Sequence, residues 1–113
     1  MLRIPLYRIL KTMTKVAVLG TGKMGGAIAR RLKSGGFDVS VWDRTKSTAE
    51  ALGVGPVADS PADAARQADV VVSMVTGPQA LHDVYFGPTG VFAASAESTI
   101  VDMSTAARRP QKS

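Results

Sequence analysis

One stretch constrains this chain more than any other: Val16-Ala17-Val18-Leu19-Gly20-Thr21-Gly22-Lys23-Met24-Gly25-Gly26-Ala27-Ile28-Ala29. Four apolar residues in a row read as a fully buried strand, glycines then fall at the first, third and sixth positions of a turn, and a helical pattern begins directly after. Each glycine has its own physical task. Gly20 permits the tight turn out of the strand, Gly22 lets backbone approach a pyrophosphate with no Cβ in the way, and Gly25 lets the helix pack close to the strand. The helix offers its free N–H groups and its positive dipole end to the phosphates. A bare Gly-x-Gly-x-x-Gly is a weak signal, because such turns often only join two elements. Here the next apolar run, Val39-Ser40-Val41-Trp42, ends in Asp43-Arg44, at about the distance where a dinucleotide fold places its ribose-reading residue.

Charge excludes one class of partner. The 113 residues carry a net charge of +5. Arg3, Arg8 and Lys11 lie before residue 14, and Arg108, Arg109 and Lys112 in the last six residues, with no acid in either segment. Removing those six cations from +5 leaves a body of −1. A near-neutral body with basic ends is unlike a nucleic-acid surface, so no nucleic-acid partner is expected. With no cysteine and one histidine, neither a disulfide framework nor a Cys-based metal site or nucleophile is available, and a reducing compartment is allowed. His82 follows the fourth strand near Tyr85 and reads as a surface or packing residue.

Residues 1–13 have amphipathic, basic character that would suit a surface-membrane or targeting segment. They are too short to span a bilayer and lack a small-residue cleavage site. The plainer account is an extension over residues 1–14, with Met13 a possible true start. No membrane association is expected, and a cytoplasmic location follows.

The rest of the body alternates strands and short helices. Gly35-Gly36 stops the first helix and residues 37–42 form the second strand. Ser47-Thr48-Ala49-Glu50 has capping-box spacing, and Gly53 ends that helix. Pro56-Val57-Ala58 can form only a short edge strand. Ser60-Pro61-Ala62-Asp63 caps a helix to about Gln67. Residues 69–75 are a strongly buried strand, 79–86 a helix, 91–96 a short helical piece, and 98–103 the fifth strand. The pattern predicts an α/β fold: a Rossmann-type doubly wound parallel sheet of about five strands, ordered 3-2-1-4-5, in a single domain.

Taken together, Gly-Thr-Gly-Lys-Met-Gly, Trp42-Asp43-Arg44-Thr45, Ala58-Asp59-Ser60-Pro61, the run from Asp69 to Val75, Gly87-Pro88-Thr89-Gly90-Val91 and Val101-Asp102-Met103-Ser104-Thr105 resemble the N-terminal domain of the β-hydroxyacid dehydrogenases. That family includes 3-hydroxyisobutyrate dehydrogenase and the NADP-binding domain related to 6-phosphogluconate dehydrogenase, with imine reductases as close relatives. The resemblance covers residues 15–105 and leaves 106–113 as a basic tail.

The resemblance implies that Gly20, Thr21, Gly22, Lys23, Met24 and Gly25 form the pyrophosphate turn. It implies that Asp43, Arg44 and Thr45 read the adenosine ribose where the family often has Asn-Arg-Thr. An arginine there can pair with a 2′-phosphate, whereas an aspartate accepts from a free ribose diol and repels a phosphate. Arg44, Thr45 and the added charge of Lys46 favour NADP, with NAD possible. Met74, Val75 and Thr76 match the loop over the nicotinamide ribose, and Ser104 and Thr105 match the motif beside nicotinamide and substrate.

Two departures stand out. Ala106-Ala107-Arg108-Arg109-Pro110 shifts the family's Ser-Thr-x-x-Pro pattern, and the family's catalytic lysine, in a Gly-Gly-x-x-Gly-x-x-x-Lys context, has no counterpart in the 113 residues. Lys23 and Lys33 cannot replace it. No catalytic or metal-ligating residue is therefore assigned. The expectation is an oxidoreductase's NADP(H)-binding domain that binds dinucleotide weakly and without turnover. A small 3-hydroxy acid or semialdehyde substrate would need a C-terminal domain, and exposed apolar surface would favour association. A non-catalytic binding module and a non-functional fragment are the alternatives.

Overall fold

The four apolar residues before Gly20 form the centre of the protein. In the computed structural model, which describes residues 14–104, Val16, Ala17, Val18 and Leu19 are buried in β1 (Lys15–Leu19). Alternate side chains of a strand point to opposite faces, so a run buried throughout must be covered on both sides. Val16 and Val18 join Val39, Val41 and Val72 on one face, packed against Ala29 and Ala49. Ala17 and Leu19 join Val71 on the other, against Ala64, Ala65, Val84 and Tyr85.

The elements follow in the order α1 (Lys23–Ser34), β2 (Asp38–Trp42), α2 (Lys46–Leu52), α3 (Pro61–Arg66), β3 (Val70–Ser73), α4 (Pro78–Phe86), a 3-10 turn (Val91–Ala94) and β4 (Thr99–Asp102). The sheet has four parallel strands in the order β2-β1-β3-β4. Val18 lies opposite Val41 on one side and Val72 on the other.

The segment 56–58, expected as a further edge strand, reduces to one parallel bridge between Val57 and Val41. Val41 N–H donates to the Pro56 carbonyl at 2.9 Å and Ala58 N–H to the Val41 carbonyl at 2.8 Å. Pro56 has no N–H of its own to extend a ladder. The bridge sits beyond β2, so the expected order is kept with its outermost member reduced.

Helix ends follow local chemistry. Ser60 Oγ accepts from Asp63 N–H at 3.0 Å, the expected cap of α3. α2 begins at Lys46, with Thr45 at the N-cap and no side-chain cap, so the expected Ser47 capping box does not form. Thr45 is held from outside, because its N–H donates to Asp43. β4 is exposed along its whole length. The expectations for residues before 14 and for residues 105–113 lie outside the described residues.

A Cβ on Gly25 would lie 1.9 Å from the Gly20 carbonyl oxygen, so α1 rests directly on the turn leaving β1. Gly25→Ala must push helix and turn apart. Overpacking of this kind costs about 1–3 kcal/mol, so urea unfolding should show a loss of that order; unchanged stability would contradict the close contact.

Candidate functional site

β1 sits where the chain reverses direction across the sheet: β2 lies to one side of it and β3 to the other. In doubly wound sheets, ligands occupy the crevice outside the carboxyl ends of the strands at such a point. A cleft of about 440 Å³ opens there. It is lined by Gly20 and Gly22 of the turn after β1, by Trp42, Asp43, Arg44 and Thr45 at the end of β2, by Met74, Val75 and Thr76 after β3, and by Ala80, Val84 and Pro88.

The floor is the turn from β1 into α1. Gly20 has φ +99°, and a Cβ there would strike the Met74 carbonyl oxygen at 2.2 Å. The turn is therefore pinned between α1 and the loop after β3. Gly22 is different, because a Cβ on it would meet nothing within 4 Å among the described residues beyond its chain neighbours and its own helix. Gly22 is also the N-cap of α1, and it supplies no side-chain cap. The first-turn amides lack intrahelical partners by geometry, and no acid lies in that turn to offset the positive dipole end. Thr21 is buried, and its Oγ1 has no hydrogen-bond partner among the described residues. An exposed, uncompensated helix start under open space fits a bound phosphate group.

Beside this floor, Gly20 N–H donates to the Trp42 carbonyl at 2.7 Å. Asp43 Oδ1 accepts from Thr21 N–H at 2.8 Å and Oδ2 from Thr45 N–H at 2.9 Å. Arg44 follows, exposed and without an ion pair among the described residues. Lys46 Nζ lies 3.3 Å from Asp59 Oδ1, an exposed pair.

The opposite wall rests on buried polar contacts that the sequence reading did not identify. The Tyr85 hydroxyl donates to Ser73 Oγ at 2.6 Å, and Ser73 Oγ donates to Asp102 Oδ1 at 2.9 Å. That same carboxylate oxygen accepts from Ser104 N–H at 3.0 Å. Ser104 Oγ in turn accepts from Val75 N–H at 3.0 Å. The chain of bonds ties α4, β3 and β4 to the loop carrying Val75 and Thr76. Two signals were available: a serine closing the apolar run Val70-Val71-Val72-Ser73, and a tyrosine on a helix face turned inward, whose hydroxyl needs a partner. Burial pushes the Tyr85 phenol above its usual pKa of 10.0, and the Asp102 charge adds to that, against an opposing effect from the Ser73 bond.

The structure brings Gly20, Gly22, Asp43, Arg44, Thr45, Met74, Val75 and Thr76 to one cleft. Thr21 and Gly25 are buried in its floor, while Lys23 and Met24 are exposed at the start of α1. Ser104 is buried behind Val75. Thr105 lies outside the described residues. His82 is exposed and stacks obliquely on Phe86 with ring centroids 5.1 Å apart.

A parallel sheet with a cleft at its switch point, floored by a glycine turn and an uncapped helix, defines a dinucleotide-binding domain. The chain belongs to the family of the NAD binding domain of 6-phosphogluconate dehydrogenase, which matches residues 15–113. An uncharacterized oxidoreductase of Bacillus subtilis (strain 168), YfjR, is 38% identical over 94 residues, covering 80% of this chain and 33% of that protein. The structure of 3-hydroxyisobutyrate dehydrogenase from Mycobacterium tuberculosis with L-serine is similar at a TM-score of 0.69 and 33% identity, covering 82% of this chain and 32% of that one. An imine reductase from Myxococcus stipitatus in complex with NADP+ gives 0.70 and 25% identity, covering 80% and 32%. The chain thus spans about a third of the length of each of these three relatives. No helix among the described residues is long and apolar enough to cross a membrane.

Tyr85→Phe removes the donor to Ser73 and should lower unfolding free energy by about 1 kcal/mol. Because the folded phenol titrates above its unfolded value, its contribution is complete below about pH 10 and is lost as pH rises through the folded pKa. Urea unfolding from pH 8 to 11 should therefore show the wild type losing its advantage over Tyr85→Phe at the alkaline end. A constant difference would contradict the burial of the phenol.

Proposed function

We propose that this chain is the cofactor-binding part of an NADP(H)-dependent oxidoreductase that moves hydride to or from a small 3-hydroxy acid or the corresponding semialdehyde. The observation that carries the reading is that one cleft joins the uncapped glycine turn at Gly22 to Arg44, which has no ion pair among the described residues. Support comes from the hydroxyacid dehydrogenase and the NADP+-bound imine reductase that the fold resembles.

In this reading Gly20, Thr21, Gly22, Lys23, Met24 and Gly25 hold the pyrophosphate through main-chain amides and the α1 dipole. Asp43, Arg44 and Thr45 form the adenosine-ribose end, with the Arg44 guanidinium facing a 2′-phosphate as a charge-assisted donor. Met74, Val75 and Thr76 orient the nicotinamide end through backbone, steadied by Ser104. Ser104 and Thr105 are the residues assigned to the substrate side in this reading, with Ser104 acting from its buried place behind Val75. When bound, the cofactor supplies or accepts the hydride.

The reaction also needs a group that moves the hydroxyl proton, and no residue of the cleft is assigned that task. The 113-residue chain alone is therefore a binding unit without turnover, and residues 15–105 constitute it. Exposed Phe86, Phe92, Ile100, Val101 and Met103 favour association with a further protein surface, as a second copy or a partner domain. A cytoplasmic setting belongs to the same reading, and a chain without cysteine is suited to it.

The test is a pair of titrations of the chain with NADPH and NADH, followed by quenching of its only tryptophan, Trp42, in the cleft wall. Saturable binding with preference for NADPH is expected. A hydrogen bond to a charged group contributes roughly 1.5–3 kcal/mol, so Arg44→Ala should weaken NADPH by about 10- to 100-fold and leave NADH nearly unchanged. Equal losses for both cofactors would contradict the assignment of Arg44.

A further inference from the structure

The two residues at the ribose end carry opposite charges, which makes them awkward neighbours for a 2′-phosphate unless one of the charges is otherwise engaged. Asp43 is engaged. Its two oxygens each accept a main-chain N–H, one from Thr21 in the glycine turn and one from Thr45 at the N-cap of α2. These donors lie on separate loops, 22 residues upstream and two residues downstream of Asp43. Amide bonds to a carboxylate are short, directional and about twice as strong as neutral ones. They also offset part of the negative charge that would otherwise face a phosphate.

We propose that Asp43 is a positioning residue: its carboxylate clasps the glycine turn to the loop carrying Arg44, so that it sets the geometry of the whole site and does not itself choose between cofactors. The proposal rests on the dinucleotide site described above and deepens it. A residue reading a free ribose 2′-hydroxyl would matter for NADH alone, because NADPH has no such hydroxyl. A clasp matters for both cofactors equally. Gly20 N–H bonded to the Trp42 carbonyl keeps the strands in register without Asp43, so losing the clasp loosens the turn and leaves the sheet intact.

The experiment measures dissociation constants for NADPH and NADH by calorimetry on the full 113-residue chain, as wild type, Asp43→Ala and Asp43→Asn, below the melting temperature of each variant. Asparagine can accept only one of the two N–H groups, so its effect should lie between the other two. Asp43→Ala is expected to weaken both cofactors by a similar factor, about tenfold or more, with their ratio unchanged within twofold. A residue that served stability alone would lower the melting temperature and leave both constants where they were.

Selective loss of NADH would overturn the proposal and make Asp43 a direct ribose reader. Unchanged constants for both cofactors would overturn it as well. Should the wild type bind neither cofactor, the proposed function fails, and the clasp is then tested without ligand. The Thr21 and Thr45 amides should resonate downfield and exchange slowly in the wild type, and lose both properties in Asp43→Ala. Amides indifferent to that substitution would refute the clasp itself.

Discussion

The absence of a side chain at Gly25 is the constraint on which the architecture turns. With hydrogen there, the backbone of α1 can rest on the carbonyl of Gly20, and a methyl group would arrive 1.9 Å from that oxygen. Close contact fixes where α1 begins, and therefore where its unpaired amides point. It also lets α1 cover the valines of β1 and β2 on one face of the sheet. Gly20 is held in turn between this helix and the Met74 carbonyl, so the turn, α1 and the loop after β3 are fixed as a set. The cleft is the space these three pieces leave above the strand ends.

Polar contacts then divide into two groups, one for each wall of the cleft. On the side of β2, Asp43 joins two loops through main-chain donors, and Arg44 is left exposed as the free cation among the described residues there. On the side of β3, Tyr85, Ser73, Asp102, Ser104 and Val75 form a continuous series of bonds from a buried helix face to the loop bearing Thr76. Apart from the exposed Thr45 N–H, the donors in both groups are buried or half-buried and would otherwise carry a desolvation cost. The apolar sheet supplies cohesion, and these bonds supply aim.

Much of this was legible in the sequence because it depends on local chemistry. The strand before Gly20, the stop at Gly35 and Gly36, the left-handed Gly53 and the Ser60 cap of α3 all need only near neighbours to specify them. What local pattern left open needs partners far along the chain. Segment 56–58 looks like a strand by composition, but Pro56 offers nothing to a ladder and only Val57 pairs. The spacing of Ser47 and Glu50 suggests a cap, yet the Asp43 carboxylate holds Thr45 two residues earlier and α2 starts there. The bond from Thr21 to Asp43 and the partners of Ser73 and Tyr85 lie 12 to 29 residues apart, so local pattern could mark Ser73 and Tyr85 as needing partners without saying which.

The central claim is that one cleft, built from the turn after β1 and the loops after β2 and β3, receives a whole dinucleotide. Amide chemical-shift mapping of the isotope-labelled chain during addition of NADPH tests it most directly. The account predicts shifts concentrated at Gly20, Thr21, Gly22, Lys23, Met24 and Gly25, at Asp43, Arg44 and Thr45, and at Met74, Val75 and Thr76, with β4 and the turn at Val91–Ala94 little affected. Shifts confined to the exposed face of β4, or no shifts in a chain whose spectrum is that of a folded protein, would contradict it.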